Sequence, residues 1–179
     1  MNPVYIKLRR RRDTLANIDS SKFLGDPAIP AELDADSVLG DDEVFLCQLD
    51  CAEIKPFDKS DLLPKEGWLW FFVDLEDYPY KPRVVYSKWG PEFVLEEYNE
   101  EWVEDTTRAW GVTFSDKEKD NGGAVILPRV ADDEVTLLSI DPEKAQLGLL
   151  SGAGGVVSFV IDRAALLEKD FSGVRFVVG

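Results

Sequence analysis

The run 68–73, Trp-Leu-Trp-Phe-Phe-Val, constrains the fold of this chain more than any other feature, because every residue in it is apolar. Its length is ordinary for a β-strand and too short for most helices. Successive side chains of a strand point to opposite faces of its sheet, so other parts of the chain must cover this strand on both sides. A chain of 179 residues is long enough to supply that cover within one hydrophobic core.

A later block of the sequence repeats the block around this run. Two pairs of segments share an apolar pattern that ends in Asp, namely 44–50 with 135–141 and 67–74 with 155–162. A third strand is predicted after each pair, at 83–86 and at 174–178. We interpret this pattern as an internal duplication of a three-strand unit.

The repeats predict an α+β, strand-dominated fold in a single domain. The repeat units span about 43–87 and 134–178, and a variable middle segment, 88–133, separates them. Neither unit has enough strands to cover both faces of its own apolar strand. We therefore expect the two units to pack side by side about a pseudo-two-fold axis.

The N-terminal part of the chain has a different character. Apolar and polar residues alternate over 4–8, which predicts a strand, and a basic run from Lys7 to Arg12 follows. We expect an edge strand that is protected from pairing by this charge, while contact with phosphate is the alternative role of the run. Residues 13–42 show neither the strand period nor the helix period, so they are predicted to be a long surface connection.

The middle segment is predicted to contain one helix and one hairpin. The helix begins at Pro91 and runs to about Asp105, with Leu95, Tyr98 and Trp102 on an apolar stripe. The hairpin joins strands at 108–114 and 124–130 through a charged loop, 115–123. Residues 116–121 of that loop alternate oxygen-bearing side chains as a calcium loop does, but the required glycine and final Glu are missing, so a solvated loop is favoured.

Two features of the second unit are predicted to be structural. A short helix at 163–169 follows Asp162, which is placed to cap its N-terminus. The glycine-rich segment 152–155 lacks the following helix and the Lys of a phosphate-binding loop, so we interpret it as a tight turn.

The net charge of −15 favours a basic protein partner. Residues 1–12 carry five basic side chains and no acid, which leaves −20 on the rest of the chain. The negative charge on residues 13–179 repels nucleic acid and anionic membranes, so neither is an expected partner. Two alternatives stay open: the acidity maintains solubility only, or Arg9 to Arg12 bind nucleic acid.

The sequence contains no histidine, which excludes Ser-His-Asp and Cys-His catalysis and the zinc sites that need His. Cys47 and Cys51 lie too far apart along a strand to form a disulfide, so both are expected to be buried free thiols. Free thiols, the absence of an apolar leader and the absence of a run long enough to span a bilayer predict a cytoplasmic protein. No catalytic residue, metal or cofactor is predicted.

Carboxylates are the remaining candidates for catalysis. Four aspartates recur at the ends of repeat strands, namely Asp50, Asp74, Asp141 and Asp162. A pair of them held in a cleft is suited to hydrolysis of a saccharide. Strand termination and helix capping are the alternative roles of the same residues.

Several ordered segments resemble the YwqG-like bacterial domains of unknown function. The resemblance rests on Ser-Lys-Phe-Leu-Gly at 21–25, Phe-Leu-Cys-Gln-Leu-Asp at 45–50 and Leu-Leu-Pro-Lys-Glu-Gly at 62–67, and on the tail segments 137–141, 156–162 and 170–172. It covers about two thirds of the chain and excludes the middle segment. It implies a mixed, strand-dominated fold with internal duplication, and it implies no particular reaction, cofactor or catalytic residue.

The leading functional hypothesis is a non-enzymatic, acidic protein-binding domain, in particular a bacterial immunity protein that neutralises a toxin. The predicted partner-binding residues are Glu97, Glu101 and Glu104, on one exposed side of the middle helix, together with Trp68 and Trp70. Core packing is the alternative role of the two tryptophans, and simple solvation is the alternative role of the glutamates. The competing function is a carboxylate-dependent enzyme that acts on a saccharide or a small metabolite.

Overall fold

The chain is organised around one large β-sheet. A computed structural model describes residues 3–10, 20–33, 43–76, 79–95 and 110–179, with the side chains of Arg9 and Arg10 left out. The strands of these ranges are β1 (Val4–Arg10), β2 (Lys22–Phe23), β3 (Ala28–Ile29), β4 (Glu43–Asp50), β5 (Trp68–Asp74), β6 (Lys81–Ser87), β7 (Phe93–Val94), β8 (Trp110–Ser115), β9 (Ala124–Val130), β10 (Glu134–Ile140), β11 (Val157–Asp162) and β12 (Arg175–Val178). Two short helices, α1 (Cys51–Ile54) and α2 (Arg163–Leu167), follow β4 and β11.

Ten of these strands form a nearly closed sheet in the order β12-β11-β10-β9-β1-β8-β2-β4-β5-β6. The two outermost strands, β6 and β12, lie in contact with each other. Next to β6, the Tyr80 ring meets the Phe176 ring of β12 with centroids 6.1 Å apart. The remaining strands, β3 and β7, pair separately.

The predicted strands of both repeat units are confirmed as the meanders β4-β5-β6 and β10-β11-β12. The register of β4 shifts between Phe45 and Cys47, so Leu46 is the extra residue of a bulge. The register of β10 shifts between Thr136 and Leu138, so Leu137 is the extra residue there. The two bulges occupy matching positions in the two sequence repeats.

Both faces of β5 are covered, as the apolar run predicted. Leu69, Phe71 and Val73 face the main core that fills the interior of the large sheet. The other face carries an outer cluster of buried residues, namely Trp68, Trp70 and Phe72 with Phe45 and Ile29. Because Ile29 belongs to β3, the small β3–β7 sheet is part of the outer cover of β5.

Strand β1 lies in the middle of the sheet, so the prediction of an edge strand was wrong. It pairs with β8 over Tyr5 to Arg10 and with β9 over Val4 to Ile6. The basic residues do not prevent pairing because backbone groups form the ladder while side chains leave it on either face. Since β1 separates β8 from β9, the predicted hairpin between those two strands was also wrong.

Two connections are more ordered than the sequence suggested. The stretch 21–30 is almost entirely buried and supplies β2 and β3, which corrects the surface connection predicted over 13–42. The predicted helix does not begin at Pro91, because Phe93 and Val94 form β7 instead. Backbone bonds from the Glu92 nitrogen to the Ile29 oxygen and from the Leu95 nitrogen to the Pro27 oxygen, at 3.0 and 2.8 Å, extend that pairing.

Helix α2 lies within its predicted range, but its capping differs from the prediction. The Asp162 side chain makes no capping bond to the helix. It accepts a hydrogen bond from Arg175 at 3.0 Å instead. The arginine of the neighbouring strand therefore takes the carboxylate that was expected to cap the helix.

Cys47 and Cys51 are free and buried, which confirms that part of the prediction. Burial raises the pKa of the Cys47 thiol well above its ordinary value. Burial, reinforced by the nearby Asp50 carboxylate, raises the pKa of Cys51 to about 12. Both groups are therefore unreactive thiols at neutral pH. Among the helices of the described ranges, none has the length and apolar character needed to cross a membrane.

Candidate functional site

Two large aromatic side chains are exposed near the end of β6. Trp89 is 52% exposed and Phe93 is 40% exposed, and only three residues separate them along the chain. The Trp89 backbone N–H donates to the Ser87 hydroxyl at 3.1 Å, and the Lys88 ammonium lies 4.9 Å from the centroid of the Trp89 ring. The backbone of Phe93 is held by pairing with Ile29. Exposed aromatic side chains on a fixed backbone are typical anchors of protein interfaces.

Trp68 lies beneath the segment that carries these side chains. A β-carbon placed on Gly90 would lie 3.1 Å from the indole nitrogen of Trp68, so the glycine allows the backbone to approach the ring closely. Trp68 is only 8% exposed, and its indole N–H has no hydrogen-bond acceptor among the described residues. We call Trp68, Trp89 and Phe93 the aromatic patch.

Trp70 differs from Trp68 although both are on the same face of β5. Trp70 is completely buried, and its indole N–H donates to the Ala28 carbonyl at 2.8 Å. The two indole rings stack with centroids 6.5 Å apart. Trp70 therefore packs in the outer cluster, while Trp68 combines packing with an indole N–H that no described residue accepts.

The three glutamates predicted to bind a partner, Glu97, Glu101 and Glu104, lie outside the described residues. The described chain reaches Leu95, which packs against the outer cluster. Partner binding by these glutamates and by the two tryptophans stays a prediction.

A groove of about 630 Å³ has four acidic residues in its lining. Its lining includes Asp132, Asp133, Glu134 and Asp162. The Arg175 guanidinium bridges two of them, with Nη2 2.8 Å from Glu134 and Nη1 3.0 Å from Asp162. Asp132 and Asp133 are not part of that bridge, and Arg163 is the one basic residue among the described residues of the lining, so the groove keeps an excess of negative charge that attracts cationic groups.

The four repeat-end aspartates have local structural contacts. Asp50 is opposite Trp68 and Asp74 is opposite Glu43, which places these two carboxylates at opposite ends of the β4–β5 pair. Each accepts a backbone hydrogen bond two residues ahead, from Ala52 at 2.9 Å and from Glu76 at 2.9 Å. Burial raises the pKa of Asp50, and the bonds from backbone N–H groups oppose that shift.

In the second repeat, Asp141 accepts from the backbone nitrogens of Glu143 and Lys144, at 3.1 and 3.2 Å. Asp141 and Glu143 also line a groove of about 840 Å³. Gly154, on the rim of that groove, has a φ of 81°, which confirms the positive φ expected of the 152–155 turn. Among the three grooves described for this structure, none is lined by two repeat-end aspartates.

A carboxylate of the charged loop after β8 is hydrogen-bonded to the end of that strand. The Ser115 hydroxyl donates to Asp120 at 2.6 Å, and this bond lowers the pKa of the Asp120 carboxyl. Across the described ranges, no group of three or more His, Cys, Asp or Glu residues is placed to hold a metal ion.

Trp89 and Phe93 were not predicted from the sequence. One local signal was available, because Trp89 precedes Gly90-Pro91, a pair typical of turns, directly after a predicted strand. A large aromatic residue in the turn after a strand lies beyond the sheet, so the packing on the sheet does not bury its side chain. Nothing local marked Phe93, whose position depends on pairing with the distant Ile29.

One comparison with known proteins gives a match. The family model described as a domain of unknown function (DUF1963) matches residues 21–122, which is more than half of the chain. The matched range runs from β2 to β8 and includes the whole aromatic patch. A search of curated proteins found no match.

Proposed function

Because the chain belongs to the DUF1963 family, whose function is unknown, we propose from its geometry that it is a non-enzymatic domain that binds a basic protein partner. One observation carries the proposal: Trp89 and Phe93 are 52% and 40% exposed, and the nearby indole N–H of Trp68 has no acceptor among the residues that the structure describes. Tryptophan is among the residues that contribute most to protein interfaces, because it combines a large apolar area with a polar N–H.

The charge of the chain supports a basic partner. The net charge is −15, and Asp132 and Asp133 leave an acidic groove on the described surface. The predicted acidic face of Glu97, Glu101 and Glu104 follows the aromatic patch closely in the sequence. Complementary fields of this kind accelerate encounter and select against acidic partners, nucleic acid and anionic membranes.

The proposal has a specific biological form, a bacterial immunity protein of the YwqG-like group that neutralises a basic toxin in the cytoplasm. The buried free thiols support a reducing compartment. In this form the chain is one α+β domain that arose by duplication of units 43–87 and 134–178 around the middle segment. The matching bulges at Leu46 and Leu137 support the duplication and its pseudo-two-fold arrangement.

Affinity purification from the native host at low salt tests the proposal. The bait is the full chain, and two variants accompany it: Trp89→Ala/Phe93→Ala and the control Val177→Ala. Val177 is a suitable control because it is 49% exposed and lies outside both the aromatic patch and the lining of the acidic groove. We expect a stoichiometric basic protein that is retained by the wild type and the control and is lost by the double variant. Recovery of no stoichiometric protein, or equal recovery by all three baits, would overturn the proposal.

A carboxylate-dependent enzyme that acts on a saccharide or small metabolite is the second candidate function. It is favoured by the groove of about 840 Å³, where Asp141 and Glu143 provide carboxylates beside the amide of Gln146. Assays with chromogenic glycosides test it, using Glu143→Gln because Glu143 is exposed and its change spares the backbone contacts of Asp141. Turnover that is lost in this variant supports the enzyme, whereas turnover unchanged by it excludes the groove as the active site.

A further inference from the structure

A row of residues crosses the middle of the large sheet on one face. Arg9 of β1 is in register with Gly111 of β8, and Gly111 is in register with Lys22 of β2. The row continues from Lys22 to Gln48 of β4 and from Gln48 to Trp70 of β5. In-register residues of neighbouring strands share a face of the sheet.

The polar side chains at one end of this row have hydrogen-bond partners within the protein. Gln48 is completely buried; its amide nitrogen donates to the Ser20 carbonyl at 3.0 Å, and its amide oxygen accepts from the Ala28 nitrogen at 3.0 Å. Trp70 donates to the Ala28 carbonyl at 2.8 Å. The segment 20–28 thus supplies partners to both side chains, as expected for buried polar groups.

Lys22 is the exception in the row. It is only 8% exposed, yet its ammonium group has no hydrogen bond or salt bridge among the described residues. The Asp26 carboxylate favours the charged form of Lys22 from beyond salt-bridge distance, but burial has the larger effect and lowers the pKa of the amine. An ammonium group that is buried without a partner is costly, so its presence requires an explanation.

The surroundings of Lys22 are suited to an anion. Gly111, the residue in register with Lys22 on β8, carries no side chain. Lys7 is exposed on β1, the strand that flanks β8 on its other side. Lys22 and Lys7 therefore bring two positive charges to this part of the sheet, on a chain whose net charge is −15.

We propose that Lys22 is the anchoring cation of a binding site for an anionic group, a phosphate or a carboxylate of a small ligand. The bound oxyanion would accept hydrogen bonds from the ammonium and so provide the partner that the described residues do not supply. This site is separate from the aromatic patch and does not depend on the proposed protein-binding function.

Thermal unfolding of the full chain tests the site, with inorganic phosphate and acetate as probes and sodium chloride at matched ionic strength as the reference. A ligand that binds only the folded state raises the melting temperature, and the rise grows with the logarithm of the ligand concentration above the dissociation constant. We expect one of the two probes to raise the melting temperature of the wild type above that in chloride. A response to phosphate alone identifies a phosphate site, and a response to acetate alone identifies a carboxylate site.

The variant Lys22→Met keeps most of the side-chain volume and removes the charge. We expect it to weaken the apparent affinity for the responding anion by more than about tenfold, since a charge-assisted bond is lost. Lys59→Met is the matched control, because Lys59 is exposed and has no described ion pair. A wild type that responds to neither probe overturns the proposal, as do equal responses of both variants. If Lys22→Met does not fold, Lys22→Arg replaces it: it should retain binding, and loss of binding with folding intact would overturn the site.

Discussion

The indole N–H of Trp70 donates a hydrogen bond to the carbonyl of Ala28 at 2.8 Å, although the two residues are 42 positions apart in the sequence. This bond joins β5 to the segment that covers its outer face. Ala28 is also bound through its N–H to the buried amide of Gln48. The covering segment is therefore held by polar contacts in addition to the apolar packing of Ile29.

Replacement of Trp70 by Phe should destabilise the protein by about 1–3 kcal/mol beyond the loss of packing, because the buried Ala28 carbonyl loses its donor. Urea unfolding measures the difference. Trp68→Phe is the matched control, since it removes the same atoms from a neighbouring indole whose N–H has no described partner. Equal losses of stability in the two variants would contradict the role assigned to the Trp70 bond.

Replacement of Gly90 by Ala should displace the Trp68 indole. The added β-carbon would lie 3.1 Å from the indole nitrogen, so the ring or the backbone must move. We expect a loss of stability of about 1 kcal/mol, within the usual range for overpacking, and a change in tryptophan fluorescence. Gly173→Ala is the control, because nothing lies within 4 Å of the corresponding position. The same fluorescence change in both variants would show that Gly90 has no special contact with Trp68.

Arg83 and Glu43 form a half-buried ion pair across the outer end of the first meander. The Arg83 Nε lies 2.9 Å from both carboxylate oxygens of Glu43, and one Nη lies 2.6 Å from Oε2. The guanidinium also lies 4.9 Å from the centroid of the Phe72 ring. Arg83→Met should cost about 1–2 kcal/mol, and Arg83→Lys should recover little of it because an ammonium cannot reproduce the fork or the stacking.

The exposed pair Lys65 and Asp61 is the control for this ion pair. Its atoms are 3.9 Å apart and both side chains are largely exposed. Lys65→Met should change the free energy of unfolding by less than about 0.5 kcal/mol. A comparable loss from Lys65→Met and Arg83→Met in urea unfolding would contradict the importance given to burial and geometry.

The Cys51 thiol should make stability fall at alkaline pH. Its pKa is about 12 in the folded protein and 9.0 in the reference state, so the folded state holds this proton more strongly. The corresponding stabilisation is fully present below pH 9 and is lost as the pH rises toward 12, by about 2 kcal/mol at pH 10.5.

Urea unfolding at pH 8 and pH 10.5 measures this loss in the wild type and in Cys51→Ala. The wild type should lose about 2 kcal/mol more than the variant over this interval, since the other titrating groups are common to both. Equal pH dependence in the two proteins would mean that Cys51 titrates normally in the folded state.

The strands of both repeat units were predictable from the sequence because their signal is local. Alternating or continuous apolar residues, bounded by turn residues, determine that a segment such as 68–73 is extended and which of its faces are buried. The same signal located β9 and β10 closely. It also indicated that both faces of β5 need cover, which the main core and the outer cluster provide.

The order of the strands was decided only by the tertiary structure. A period of two specifies the buried face of a strand but carries no information about its neighbours, so β1 was expected at an edge and lies between β8 and β9. Short segments such as β2 and β7 have too few residues to show any period. They become strands because distant strands supply their backbone partners.

The candidate sites were likewise predictable from the sequence in part, and the rest depended on the tertiary structure. Residue type and net charge determined which reactions are excluded and which partner is electrostatically favoured, because these properties belong to the chain before it folds. In the described part of the chain, the Trp68 N–H without an acceptor and the buried Lys22 side chain are instead consequences of how each residue is surrounded. Gly90 comes close to the Trp68 indole, and Lys22 lies in the middle of the sheet, only after folding. No local sequence pattern could therefore have revealed these two environments.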